Sequence, residues 1–98
     1  MEKLYKQQLD ENRAKQQEIK DLLLNYPKGH VNILYRSAKG YYYRTYREGK
    51  KVNNEYLGPV ESTDLSELFA TMTKRDRLKS RLRSLKEEER KIRQEARG

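Results

Sequence analysis

The sequence predicts an α+β fold: a long N-terminal helix, a three-stranded antiparallel β-meander, then a short helix and a long basic C-terminal helix, both ends patterned like a coiled coil. Three observations predict it. Residues 2–26 place Tyr5, Leu9, Asn12, Gln16, Ile19, Leu23 and Tyr26 at alternating steps of four and three, the seam of a packed helix. From Lys39 to Pro59, tyrosines and β-formers alternate with cations around glycines, the pattern of paired strands. After residue 63 the helical period returns with lysine and arginine. The whole of 1–98 reads as one domain, divided into an N-terminal helix over 1–25, a meander over 30–58 and a helical region over 63–97.

The first helix carries two polar residues, Asn12 and Gln16, inside its seam. Such layers fix register and partner at some cost in stability. Pro27 and Gly29 end the helix. Val31 to Ser37 reads as the first strand, with Val31, Ile33 and Tyr35 on one face. A three-residue bulged turn at Ala38-Lys39-Gly40 leads into a second strand, Tyr41 to Arg47. An even-numbered loop around Glu48-Gly49 leads into a third, Lys51 to Leu57.

With that register, Val31, Ile33, Tyr35, Tyr41, Tyr43, Thr45, Val52, Asn54 and Tyr56 form the core face. Asn32, Leu34, Arg36, Tyr42, Arg44, Tyr46, Lys51 and Asn53 form the polar face. A slip of one residue exchanges faces wholesale. Asp64 caps the next helix, with Glu67 three residues on as in a capping box. Thr73 with Asp76 reads as a second cap, predicting a break near 73–74. Leu78, Leu82, Leu85, Ile92 and Ala96 then mark an apolar seam containing Glu89.

Composition bounds the function. Of the residues, 34% are hydrophobic and 39% charged, too little apolar material for a large core, so a second copy of the chain is an expected partner for the helices. There is no cysteine, and the longest apolar run, Leu22-Leu23-Leu24, is far too short to span a membrane. A cytoplasmic protein is expected, in the host cytoplasm if the source is viral. The formal net charge of +8 is uneven. Lys/Arg and Asp/Glu balance over residues 1–25, and the excess sits in the meander and the last helix. Clustered cations attract phosphate.

Two groups of residues are candidates for binding nucleic acid. Arg75, Lys79, Arg83, Lys86, Arg90, Arg93 and Arg97 follow one flank of the last helix, a stripe with no acid within it, about 33 Å long at 1.5 Å per residue. Charge runs on helices are usually solvated faces, and here segregation of sign favours a polyanion. On the sheet, Arg36, Tyr42, Arg44, Tyr46 and Lys51 interleave cations with aromatics, the mixture that grips phosphates and stacks on bases. Tyrosine is also an ordinary strand residue. Lys39-Gly40-Tyr41-Tyr42-Tyr43-Arg44-Thr45-Tyr46 partly matches the signature strand of RNA-recognition motifs, but the order of elements excludes that family in its standard form. The match would leave Tyr41 and Tyr43 exposed rather than buried.

Enzymatic signals are absent. The sole histidine, His30, lies in a loop beside a glycine, and no Gly-rich phosphate loop, zinc ligand set or activated nucleophile is recognisable. No catalytic residue, cofactor or metal is expected.

Tyr41-Tyr42-Tyr43, Tyr46 to Val52 and Tyr56-Leu57-Gly58 resemble the hairpin of a group of short uncharacterised proteins of prokaryotes and their viruses, with a charged helix before it and a charged helical tail after it. The hairpin is also similar to a segment near the start of some transposases. The likeness covers residues 26–60 and brings no catalytic residue with it. Small size, high charge and a stand-alone hairpin are also typical of viral host-takeover proteins, anti-CRISPR proteins among them, and point to a phage or mobile-element setting. The expected function is a non-enzymatic binder of nucleic acid or of a nucleic-acid-binding protein complex, inhibiting host nucleic-acid machinery. The competing expectation is a coiled-coil adaptor between proteins.

Overall fold

A computed structural model describes residues 2–97 of the chain. The elements are α1 (Glu2–Leu23), β1 (His30–Arg36), β2 (Lys39–Glu48), β3 (Lys51–Pro59) and α2 (Ser66–Arg97). The fold is α+β, as the patterning predicts. The chain divides into two compact units, one of residues 1–26 and 71–98 and the other of residues 27–70.

In the helical unit the α1 seam is where the spacing put it. Asn12, Gln16 and Ile19 are buried, and Tyr5, Leu9, Leu23 and Tyr26 are half-buried. Against them lie Leu85 and Ile92, both buried, with Leu78, Leu82 and Glu89 half-buried between solvent and seam. The helices run antiparallel, since Leu22 and Tyr26 share a groove with Leu78, while Gln8 shares one with Ile92 and Glu95. Leu85, 1% exposed, is the centre of this core.

α2 runs unbroken from Ser66 to Arg97, so the expected break at 73–74, and with it a separate short helix, is absent. Nothing there enforces one. Threonine costs only some tenths of a kcal/mol inside a helix, whereas glycine or proline, both missing from α2, would cost about 1 to 3. The cap at its start is present: Asp64 Oδ1 accepts the Ser66 amide at 2.9 Å and also the Ser66 hydroxyl. These bonds, the hydroxyl first, hold the Asp64 carboxyl below its ordinary pKa.

The sheet order is β1-β2-β3, antiparallel throughout. Its second turn is the two-residue Gly49-Lys50, with Gly49 at φ 59°, and here the even loop is as expected. The first turn differs. It is the two-residue Ser37-Ala38, both residues at positive φ (50° and 67°), and Arg36 pairs with Lys39. That combination of φ values is type I′, whose twist suits a hairpin.

Gly40 therefore lies inside β2 opposite Tyr35, where its missing side chain matters. A Cβ there would press on Val60 Cγ2 at 3.0 Å, Ile33 Cγ2 at 3.2 Å and the Tyr35 ring at 3.3 Å. A bulge between Tyr42 and Tyr43 leaves Leu57 as the extra residue of β3, followed by Gly58 at φ 140° against Thr63.

One residue fewer in the first turn moves β1 to the other side. Val31, Ile33 and Tyr35 share a face with Tyr42, Arg44 and Tyr46, not with Tyr41 and Tyr43. Tyr41, Tyr43 and Thr45 do share a face with Val52, Asn54 and Tyr56, as the second turn requires, and Asn32, Leu34 and Arg36 join them. The expected burial of Val31, Ile33, Tyr43 and Val52 fails accordingly. Ile33 is 41% exposed, Val52 is exposed, and Val31 and Tyr43 are half-buried.

Candidate nucleic-acid interface

The seven-residue stripe of α2 separates into cations with different fates. Arg75 is half-buried, and its Nη1 is enclosed without a hydrogen-bond partner. Leu68, Arg75, Leu82, Glu89 and Ala96 succeed one another in steps of seven, so Arg75 belongs to the seam row, a spacing that was readable in the sequence. Arg90 is paired with Glu87, which lowers the carboxylate's pKa and raises that of the guanidinium. Arg93 Nη2 lies 3.1 Å from Glu89 Oε2. The stripe is thus not free of acids at its C-terminal half. Lys79, Arg83 and Lys86 are exposed and form no ion pair among the described residues, and Arg97 is exposed at the helix end. Exposed pairs such as Arg90–Glu87 are worth little energetically, but they cancel the local charge. Three mid-helix cations keep theirs in full.

Glu89 is the hub of a polar layer in the helical core. Gln16 Nε2 donates to its Oε1 at 3.0 Å, and Arg13 Nε approaches Oε2 at 3.3 Å. The Gln16 hydrogen bond, reinforced by Arg13 and Arg93 and opposed by burial, holds the carboxyl below its ordinary value. Its charge is what draws Arg93 out of the stripe.

On the sheet, the expected cluster of Arg36, Tyr42, Arg44, Tyr46 and Lys51 is split. Tyr42, Arg44, Tyr46 and Lys51 share one face, and Arg36 stands on the opposite one. Arg44 is committed to structure. Its guanidinium lies 4.1 Å from the Tyr46 ring centroid, donates through Nη1 to the Lys28 carbonyl at 2.6 Å, and pairs through Nη2 with Glu55 at 2.7 Å. With 14% of its side chain exposed, it occupies the Tyr46 face that a base would need. Lys51 is paired in register with Glu48.

The other face was expected to be core and is not. Tyr43 and Tyr56 rings stand 5.4 Å apart at 55°, Tyr41 and Tyr56 6.3 Å apart at 49°. These tilted arrangements suit aromatic quadrupoles. With Arg36 the three rings line a shallow depression of about 250 Å³. Beside them Asn32 Nδ2 donates to Thr45 Oγ1 at 2.7 Å, and Thr45 donates to Asn54 Oδ1 at 2.8 Å, a polar ladder across all three strands. The shared face of Tyr41, Tyr43 and Tyr56 was legible from the second turn, and only the length of the first turn hid that Arg36 and Asn32 join them.

Among the described residues, no group of three or more His, Asp or Glu side chains converges as a metal ligand set, and no helix is long and apolar enough to cross a membrane. Residues 1–67 match the model of a family described as a domain of unknown function, DUF6788. The chain belongs to that family. The DUF6788 region holds α1 and the whole sheet, while nearly all of α2 lies beyond it. Neither curated proteins nor solved structures give a match to the chain.

Proposed function

We propose that this DUF6788 protein is a non-enzymatic, cytoplasmic binder of nucleic acid or of a nucleoprotein complex. The observation that carries the reading is the row Lys79, Arg83 and Lys86: exposed, unpaired, and about one helical turn apart. Three cations so placed meet phosphates without first breaking an internal ion pair. The net charge of +8 adds an attractive field at longer range. From its small size, high charge and stand-alone hairpin, features typical of viral host-takeover proteins, we assign it to inhibitors of host nucleic-acid machinery of the anti-CRISPR kind. The adaptor reading has less to work with, because the α1 seam that would receive a partner helix already lies against α2.

The test is fluorescence anisotropy with labelled oligonucleotides over a salt series. Binding whose affinity falls steeply with salt, through counterion release, supports the reading. No binding at low salt to any single- or double-stranded probe overturns it. Capture from a host lysate, with and without nuclease, then separates a nucleic-acid target from a protein one.

A further inference from the structure

The sheet has one face on which acids and bases balance and one that is basic without acids, a division set by the two turns. The three strands contain two acids, Glu48 and Glu55. Both lie on the face of Tyr42, Arg44 and Tyr46, where they stand in register with Lys51 and Arg44. The other face carries no acid. Along β2 it reads Lys39, Tyr41, Tyr43, Thr45, Arg47, flanked by Arg36 on β1 and by Tyr56 on β3. Arg36, Lys39 and Arg47 are exposed, as is Tyr56 at 54%. The Tyr41–Tyr43–Tyr56 cluster lies between these cations, and side chains two apart on a strand are about 6.5 Å from one another.

We infer that this face is a binding platform for single-stranded nucleic acid, with unpaired bases stacking on Tyr43 and Tyr56 and phosphates met by Arg36, Lys39 and Arg47. This deepens the nucleic-acid reading above and rests on it. Flat aromatic rings accept any base, because every base has a π-face. The occupant is argued from charge: three cations and no carboxylate around an aromatic centre complement a chain that is anionic outside and flat and apolar inside. A paired duplex cannot use the rings, since its bases are already stacked on each other. The face of Tyr42 and Tyr46 does not compete, because Arg44 covers Tyr46 and Glu55 neutralises Arg44.

The experiment uses the full chain, a labelled oligo(dT) 12-mer, its oligo(rU) counterpart and a 12-bp duplex. Tyr56→Ala and Tyr43→Ala are each expected to weaken single-strand binding by about 5- to 150-fold, the range for loss of one stacked base, and to leave duplex affinity within about twofold. Tyr56→Phe, which keeps the ring, is expected to stay near wild type. An NMR titration of the unaltered protein with oligo(dT) gives a readout that needs no variant: the ring resonances of Tyr43 and Tyr56 should shift more than those of Tyr42 and Tyr46. If wild type binds the probes but the alanine variants keep single-strand affinity, or the ring shifts fall on Tyr42 and Tyr46, the platform is overturned while the nucleic-acid reading stands. If wild type binds nothing at low salt, both fall. A protein captured through this face in place of nucleic acid would also overturn it. Comparison of oligo(dT) with oligo(rU) tells DNA from RNA.

Discussion

Asn12 Nδ2 donates to the backbone carbonyl of Leu85 at 2.9 Å, joining a buried side chain of α1 to the main chain of α2. Gln16 Nε2, one turn on, donates to Asn12 Oδ1 at 2.6 Å and reaches Glu89 as well. The alignment of the two helices is therefore fixed by directional bonds in a core otherwise made of apolar contacts, which tolerate sliding.

Asn12→Leu tests that role. Asn12 is 4% exposed, and a polar residue in a helix seam sets register at a cost in stability that an apolar residue removes. The expected outcome is a thermal midpoint equal to or above wild type together with loss of a unique state, seen as additional oligomeric species in sedimentation velocity. A variant as uniform as wild type would show that Asn12 does not set alignment.

Acid should loosen the helical unit through Glu89. Its folded-state pKa lies below the ordinary 4.5, so the stabilisation it contributes is complete above that value and is lost as pH falls through the folded value. Thermal midpoints measured between pH 7 and pH 3 should drop on acidification. In Glu89→Gln the midpoint should start lower at pH 7 and fall less steeply. Parallel curves for the two proteins would contradict the assignment.

Leu85→Ala should destabilise the chain by about 2–5 kcal/mol, the range for emptying a buried leucine site. Ile33→Ala, at 41% exposure, should cost about 1 kcal/mol or less, because most of its apolar area is already in water or only partly covered. Urea unfolding of both variants measures the difference, and a larger cost at Ile33 would mean that its face is core.

The Ser37-Ala38 turn places two residues with a Cβ at positive φ, each less comfortable there than asparagine or glycine. Ser37→Asn combined with Ala38→Gly should raise stability by about 1 kcal/mol in urea unfolding. A destabilised variant would show that the turn is not type I′.

Lys79→Gln, Arg83→Gln and Lys86→Gln together remove the stripe's three unpaired mid-helix cations and leave Leu78, Leu82 and Leu85 in place. Glutamine is nearly as good a helix former, so the thermal midpoint should hold. The slope of log affinity against log salt should flatten by roughly two to three, at 0.7–0.9 per lost phosphate contact. An unchanged slope would remove the helix flank from binding. Arg44→Gln is the contrasting variant, expected to lower stability and to leave the slope unchanged, because its charge is already paired with Glu55.

Much of the architecture was legible because periodicity is a direct imprint of packing. The α1 seam, including polar Asn12 and Gln16, is buried or half-buried at every position that its four-three spacing marks. The side of β1 was not legible. Ser37-Ala38 lacks the Asn-Gly signature of a type I′ turn, and Gly40 drew the expected turn downstream to 38–40, although the glycine is there to make room for Tyr35 and Val60. The candidate cations were found as residue types, yet which of them remain free depends on neighbours that only folding supplies. Arg75 entered the seam, Arg44 met Tyr46 and Glu55, and Arg93 was claimed by Glu89.

The helical unit is discontinuous in sequence, with the sheet unit lying between its two halves. During synthesis α1 leaves the ribosome complete while its buried partner Leu85 is still about 60 residues away, a delay of several seconds at 5–20 residues per second. A helix of this length forms in microseconds, so α1 must wait with its seam uncovered. A seam made wholly of leucine would spend that interval as a sticky surface in a crowded cell. Asn12 and Gln16 break it into short apolar patches, so the residues that later align the finished pair also shrink the apolar surface open during that interval.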